Sequence, residues 1–596
     1  MLQPNDNNVI QMPPQETVNN LINLCKQGQF KVVFEQTQIL LNETPMIYMY
    51  WNIMGVSASK LEIHDTAIHA YKTAITLNPN SSETYFNMGI TFTKQGKFNE
   101  AINAYKNTIA LSPDYAEAYN NMSNIFLQQG KLDEAIEGFK KALLIRPNYA
   151  KAQNNLGLIY MKQKNSKEAL EAFKKALSLK PKYAEAYNNM GCVLRDSGKL
   201  NEAIEAFKKS ISLKPNYAEA YNNMGVALKD QNKLDEAIEV YNACILLKPD
   251  YAYAFNNLAG SYKDKGNFDE ALNTYEKALL INPDYPEAYY NSSFIYNLKG
   301  DLRKGLELYE WRLKKKNTKA RLPREYLIWD GIESIKGKKF FVYEEQGLGD
   351  VIQFCRYLLL LKKKGAEVTF RVKKKMHAML QTMDSNINLV ENDPDDKEID
   401  FEAPLMSLPY LFSTNLNTIP SSKSYLFANH DKVTSWKKRF TKTTFKIGVC
   451  WQGAILQSEV GRSFPLSLFE DISKLPNIEL IGLHKGEGEK QIKNINFDLT
   501  TFGNDFDAGK NSFEDTAAVM INCDLIISCD TSIAHLAGAL GCPIWVALKK
   551  IPEWRWMLDR NDSPWYPNMR LYRQKELGDW DYVFKIMKKD LVRLIK

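Results

Sequence analysis

In the first half of the chain, apolar residues fall into amphipathic helical stretches, and the pattern returns every 34 residues from 14 to about 318. With the phase taken from Tyr119, repeats begin at 14, 48, 82, 116, 150, 184, 218, 252 and 286. In the fourth, AEAYNNMSNIFLQQGKLDEAIEGFKKALLIRPNY, Tyr119 fills a large aromatic position and Ala135 a small one where two helices cross. Phe139 and Ala142 lie on the second helix, and Pro147 ends it. The same places hold Tyr187, Ala203, Phe207 and Pro215 in the sixth repeat, and Trp51, Ala67, Tyr71 and Pro79 in the second. Small residues let paired helices approach, large ones fill the groove, and proline forces the turn onward. The first repeat is degenerate and reads as a cap.

Beyond about 320 the period is lost, and short apolar runs of strand length alternate with helical stretches. A strand over 339–343 leads into EEQGLGDVIQFCRYLLLLKKKG. There Gly347 and Gly349 permit a tight turn, and Ile352, Cys355, Leu358 and Leu359 share one helical face. A strand over 367–372, a helix near 375–382, a strand over 387–390 and a short segment near Phe401 complete one set. After the polar SSKSYLFANHDKVTSWKKRFTKTT, alternation restarts with a strand over 446–451, a helix near 465–474 and a strand over 478–483. LIISCDTSIAHLAGALGCPIWVAL, over 525–548, then reads strand, polar turn, helix, strand, with Gly541 and Pro543 stopping the helix. Its turn carries Asp530, Thr531, Ser532 and His535. Free backbone N–H groups and the helix dipole suit such a turn to phosphate. The plainer reading is that Asp530 or Thr531 is only an N-cap. Two sets of alternating elements in tandem predict two Rossmann-like domains with a cleft between the carboxyl ends of their sheets.

The 34-residue repeat is the tetratricopeptide (TPR) period, and the first half resembles TPR arrays. Asparagine recurs at one position of the first helices: Asn87, Asn121, Asn155, Asn189, Asn223, Asn257 and Asn291. A primary amide both donates and accepts, so such a ladder can hold an extended peptide backbone without reading its sequence. In this the array resembles the repeat half of O-linked N-acetylglucosamine transferases. That resemblance implies a polypeptide or glycan acceptor bound through Asn121, Asn155, Asn189 and Asn223. Asparagine is also common here in TPR consensus sequences with unrelated partners, and that reading carries more weight.

In the second half GLGDVIQFCRYLLLL, GVCWQG, RSFPL, LHKGEG, DLIISCDTSIAHLAGALGCPIWVAL and PEWRWMLDRNDSPWYPNMRLYRQ occur in this order. Together these blocks resemble the heptosyltransferase-like glycosyltransferases (glycosyltransferase family nine), and more narrowly bacterial proteins that place a TPR array before such a domain. The resemblance implies an all-α TPR solenoid over 14–320 followed by an α/β GT-B module. Its acceptor-side domain would span 321–440 and its nucleotide-sugar domain 441–596, with 1–13 a disordered N-terminus. It implies Asp350 as general base, taking the acceptor's hydroxyl proton in an inverting, metal-independent transfer. Asp530, Thr531, Ser532 and His535 match the nucleotide-sugar turn. Arg462 matches a basic position that neutralises the diphosphate, and Lys485 a position near the nucleotide. No cofactor beyond the donor substrate is implied. The bland alternatives are a helix cap for Asp350, a satisfied buried histidine for His535 and a surface arginine for Arg462. The family usually continues WQG with Asn-Pro, whereas this chain has Ala454-Ile455-Leu456-Gln457. The closing stretch 580–596 reads as an amphipathic helix, and in GT-B enzymes the last helix often crosses back to the first domain.

Composition narrows the picture further. A net charge of +7 over 596 residues, with lysines scattered, gives nucleic-acid binding no support. Eight cysteines without a C-x-x-C pair look like the reduced thiols of a cytoplasmic protein. The N-terminus lacks the basic flank and apolar core of a signal peptide, and no apolar run approaches the ~20 residues of a transmembrane span. The D-x-D string at Asp393-Pro394-Asp395 reads as a solvated turn, and the six histidines form no ligand spacing. The rivals to a transferase are a TPR interaction scaffold carrying an inactive GT-B domain, and a hydrolase or epimerase on the same fold.

Overall fold

The computed structural model describes residues 14–315, 324, 327–384, 386–395, 398–440, 443–453, 461–483, 485–503, 506–509 and 511–595. The altered loop at 454–457 therefore lies outside the described residues. The chain divides between Pro249 and Asp250 into two compact units.

The first unit is an all-helical solenoid. Its paired helices begin at Gln15, Tyr48, Ser82, Ala116, Ala150, Ala184 and Ala218, at the starts the period predicts or one residue later. In the second, third, fifth, sixth and seventh pairs a glycine on the first helix faces an aromatic ring on the second. A methyl group on Gly157, Gly191 or Gly225 would stand 2.6–2.7 Å from the ring of Phe173, Phe207 or Tyr241. Those rings are fully buried, so only glycine lets the helices cross so closely. The fourth repeat solves the crossing differently. Ser123 occupies the glycine position, and Gly138 replaces the alanine that the neighbouring repeats hold as Ala104 and Ala172. A methyl group on Gly138 would land on the Ser123 hydroxyl.

The second unit opens with four more helices, Ala252–Lys265, Phe268–Ile281, Pro286–Leu298 and Leu302–Tyr309. Two parallel sheets follow. The first has strands β1 (Lys339–Tyr343), β2 (Glu367–Arg371), β3 (Asn388–Val390) and β4 (Phe401–Pro404) in the order β3-β2-β1-β4. The second has β5 (Phe445–Cys450), β6 (Ile478–Gly482), β7 (Leu525–Cys529), β8 (Ile544–Leu548) and β9 (Met569–Arg573) in the order β6-β5-β7-β8-β9. Strands β7 and β8 are buried along their whole length, as their mostly apolar sequence requires of a parallel sheet covered on both faces. The orders 3-2-1-4 and 2-1-3-4-5 are those of doubly wound sheets, in which ligands bind at the carboxyl ends where the strand order reverses. The reversal lies between β1 and β4 in the first sheet and between β5 and β7 in the second. The turns after β1, β5 and β7 carry GLGD, WQG and DTS.

One buried cluster joins Leu298, Leu302, Leu306 and Tyr309 of the last repeat to both sheets. The expected helices near 375–382 and 465–474 are each a 3-10 turn followed by a short α-helix. The final helix, Trp580–Leu594, does not follow the expectation that it crosses back to the first sheet. Its main packing is on β9 and the 3-10 turn Leu466–Phe469, with Phe584 between Phe464 and Phe469 at ring separations of 4.9 and 5.1 Å. Residues 554–565, between β8 and β9, reach the helix that follows β1 instead, where Trp554 and Trp565 pack on Phe354.

Candidate functional site

Strand β1 ends at Tyr343, and Gly347 precedes the helix Leu348–Phe354. Asp350 lies in the first turn of that helix, where its Oδ2 accepts the Gly347 N–H at 3.0 Å. The cap expected as its bland role is therefore present. Asp350 also reaches across the unit, with Oδ1 paired to the Arg555 guanidinium. Burial pushes the Asp350 carboxyl up, and Arg555 opposes the shift.

Strand β7 ends at Cys529, and Thr531 stands at the N-cap of the helix Ser532–Leu540 in extended conformation. No side chain caps this helix. The Thr531 hydroxyl turns back to Ser528 Oγ at 3.4 Å and Cys450 Sγ at 3.9 Å. Asp530 is 8% exposed, and its Oδ2 lies 4.0 Å from Arg462 Nε. Burial raises its carboxyl, with Arg462 opposing. The N-cap reading of Asp530 and Thr531 thus describes where they sit and not what their side chains do.

Two glycines bring the turns together. A methyl group on Gly349 would stand 3.0 Å from His535 Cδ2 and 3.6 Å from Ser532 Cα, so the GLGD and DTS helices meet near their N-termini. A methyl group on Gly453 would stand 3.0 Å from Thr531 Cγ2, and the Gly453 N–H donates to Ser463 Oγ at 3.1 Å. Asp350, Asp530, Thr531, Ser532, His535 and Arg462 therefore belong to one site. Lys485 does not join it by any contact: it is exposed and donates to the Phe506 carbonyl.

His535 is buried and hydrogen-bonded rather than open to the cleft. Its Nδ1 shares a 2.9 Å bond with the Tyr566 hydroxyl, and its ring stacks on Trp556 at 5.1 Å. Burial, reinforced by Arg555, Arg356 and Arg462, holds its pKa well below the usual histidine range, so the ring is neutral.

Four neighbours were not singled out from sequence. Arg555 pairs with Asp350 on one arm and with Glu553 at 2.6 Å on the other. Lys549, just after β8, has its pKa lowered by burial and by Arg462. From the last repeat, the Tyr309 hydroxyl accepts a 2.7 Å bond from Gln346 in the turn before Asp350, and Arg312 pairs with the adjacent Glu345 at 2.6 Å. The only signal for Arg555 was a basic residue between two tryptophans, WRW, shortly after a buried strand. Among the described residues no three His, Cys, Asp or Glu side chains gather in a way that could hold a metal ion. In the D-x-D string, Asp393 pairs with Arg371 at 2.6 Å.

In the first unit, the asparagine column is a hydrogen-bonded spine. Asn155 Nδ2 donates to Asn124 Oδ1 at 2.9 Å and to Asn120 Oδ1 at 3.4 Å. Asn189 donates to Asn154 at 3.1 Å and Asn223 to Asn188 at 3.0 Å. Asn121 accepts from Asn120 at 3.1 Å. Each of the three bonds Asn155–Asn120, Asn189–Asn154 and Asn223–Asn188 ties one repeat to the preceding one, and the accepting asparagines are buried.

TPR repeat models match residues 91–124, 123–164, 191–232 and 260–300, and further tetratricopeptide repeat models match 70–103, 150–183, 172–205 and 218–251. Protein FlbA of Caulobacter vibrioides is 24% identical over 283 residues, 42% of this chain and 46% of that protein. The chain thus spans less than half the length of this curated relative. Among solved structures it is similar to YrrB, described as a TPR protein with an unusual peptide-binding site: 28% identity, 32% of this chain, 98% of that chain, TM-score 0.28. It is also similar to MamA, at 31% identity over 27% of this chain and 95% of that chain, with a TM-score of 0.26. No helix of the described residues is long and apolar enough to cross a membrane. Repeat period, paired helices and matching repeat models agree: the first 300 or so residues are a solenoid of tetratricopeptide repeats.

Proposed function

We propose that the chain is an inverting glycosyltransferase of GT-B arrangement that moves a sugar from a nucleotide-diphosphate sugar to a protein or glycan acceptor. The observation that carries this reading is the meeting of two helix N-termini at the reversal points of two parallel sheets. One bears Asp350, the other Asp530, Thr531 and Ser532. The diphosphate belongs at the uncapped Ser532–Leu540 helix, where N–H groups and the dipole favour negative charge, with Arg462 and Lys549 as counter-charges. Asp350 takes the acceptor's hydroxyl proton as that oxygen bonds to the anomeric carbon. The bond from that carbon to the phosphate oxygen breaks, the diphosphate leaves with its electron pair, and attack from the opposite face inverts the centre. His535, neutral and wedged between Trp556 and Gly349, shapes the wall. The repeat array binds the acceptor or a protein partner, since TPR arrays are protein-interaction scaffolds.

A second reading, a scaffold whose sheet module has lost catalysis, is favoured by one observation. Asp350 is already engaged by Gly347 and Arg555, as a purely structural carboxylate would be. Calorimetric titration of the full chain with nucleoside diphosphates separates the two. The transferase reading expects binding that weakens at least roughly tenfold, about 1.4 kcal/mol, in Arg462→Ala/Lys549→Met. Lack of binding by any nucleoside diphosphate would leave the scaffold.

A further inference from the structure

Asp350 is enclosed by charged or titratable groups from several elements. Arg555 and Glu553 come from the segment after β8, Arg462 from the segment after β5, and Tyr309 from the last repeat, while neutral His535 lies across Gly349. Among these Arg555 makes the direct ion pair. Arg555 is itself fixed from three sides. Glu553 Oε1 accepts from its Nη1 at 2.6 Å, Glu553 Oε2 accepts its backbone N–H at 3.0 Å, and its guanidinium lies over the Trp554 ring at 4.6 Å. The side chain is buried, so the fork has one arm on each carboxylate and little room to move.

We infer that Arg555 is a positioning residue for the proposed transfer: anchored by Glu553, it fixes the Asp350 carboxylate and holds its charge in a buried site. The inference rests on the glycosyl-transfer reading for its purpose, but its physics is independent of any substrate. A buried carboxylate without a counter-charge takes up a proton and ceases to be a base. Arg555 favours the charged form of Asp350, and Glu553 disfavours it. The two neighbours therefore act on Asp350 with opposite sign, although both are part of one hydrogen-bonded turn.

The test is an infrared difference titration of the full chain, in which subtraction of Asp350→Asn isolates the Asp350 carboxyl band. Arg555→Met should raise its midpoint by about 1 to 3 pH units. Arg555→Lys, which keeps the charge, should restore most of that shift. Glu553→Gln should lower the midpoint. In Glu553→Gln, the acid limb of kcat/KM should move relative to wild type in the same direction as the band. Midpoints that stay put, or that move the same way in Arg555→Met and Glu553→Gln, would overturn the inference. If Arg555→Met does not fold, the sign of the Glu553→Gln shift decides alone. Opposite shifts in a protein that transfers no sugar would uphold the Arg555 role and remove the transferase reading.

Discussion

Gly349 and His535 touch where the two sheets of the second unit meet: a methyl group on the glycine would stand 3.0 Å from His535 Cδ2. The histidine has no room to retreat, because Tyr566 holds its Nδ1 at 2.9 Å and Trp556 stacks on its face. Gly349→Ala should therefore cost about 1–3 kcal/mol, as overpacking of a filled core does, and should weaken nucleoside-diphosphate binding. Thermal unfolding and calorimetry on the same variant check this. A stability change below about 0.5 kcal/mol would mean that the two helices yield.

The fourth repeat offers a cleaner packing test, confined to the first unit. Gly138→Ala places a methyl group on the Ser123 hydroxyl and should destabilise the array by about 1–3 kcal/mol, despite alanine's better helix propensity. Ser123→Gly in the same chain recreates the glycine-and-alanine pairing of the adjoining repeats and should recover most of the loss. Additive effects in this double-mutant cycle would contradict direct contact.

The asparagine spine predicts a stability defect before any binding defect. Asn155→Ala removes the donor for both Asn124 Oδ1 and Asn120 Oδ1, and should cost about 1–3 kcal/mol. Replacing Asn121, Asn155, Asn189 and Asn223 together should lower the melting temperature of the array by more than the single change. Transfer to a small acceptor should be unaffected. A quadruple variant as stable as the wild type, with a raised KM for a polypeptide acceptor, would assign these amides to acceptor binding instead.

The Asn155 bonds also show where the sequence was legible and where it was not. Nine recurrences of one pattern made the helices and their starts readable, and mostly apolar runs marked β7 and β8. The spine was not readable, because its donors and acceptors lie 35 residues apart and meet only when one repeat stacks on the next. The resemblance places His535 in the nucleotide-sugar turn, yet its side chain is buried against Tyr566 and Trp556. Spacing distinguishes faces only where one face is exposed, and Ile533–Leu540 is buried at every position. Arg555 stands 205 residues from Asp350, so their ion pair exists only through the fold.

The buried state of His535 carries a pH signature. Its folded pKa lies well below the ordinary value of about 6.5. Above pH 6.5 the ring is neutral in both states and contributes nothing to the pH slope. Below it the unfolded chain takes up a proton that the folded chain refuses, so stability falls as pH drops. His535→Phe removes that proton, and between about pH 6.5 and 5 its stability should fall less steeply, by up to about 1.4 kcal/mol per pH unit. Parallel slopes in chemical denaturation would mean that the histidine titrates normally.

In the proposed reaction Asp350 and the DTS turn move a sugar. The most direct measurement is product analysis by proton magnetic resonance, with a panel of nucleotide sugars and polypeptide or glycan acceptors, for wild type and Asp350→Ala. Transfer with Asp350 as base should give acceptor-dependent release of nucleoside diphosphate, a glycosylated product of inverted anomeric configuration, and turnover reduced by roughly two to four orders of magnitude in Asp350→Ala. Free sugar as the sole product, retention of configuration, or turnover within a few-fold of wild type in Asp350→Ala would contradict it.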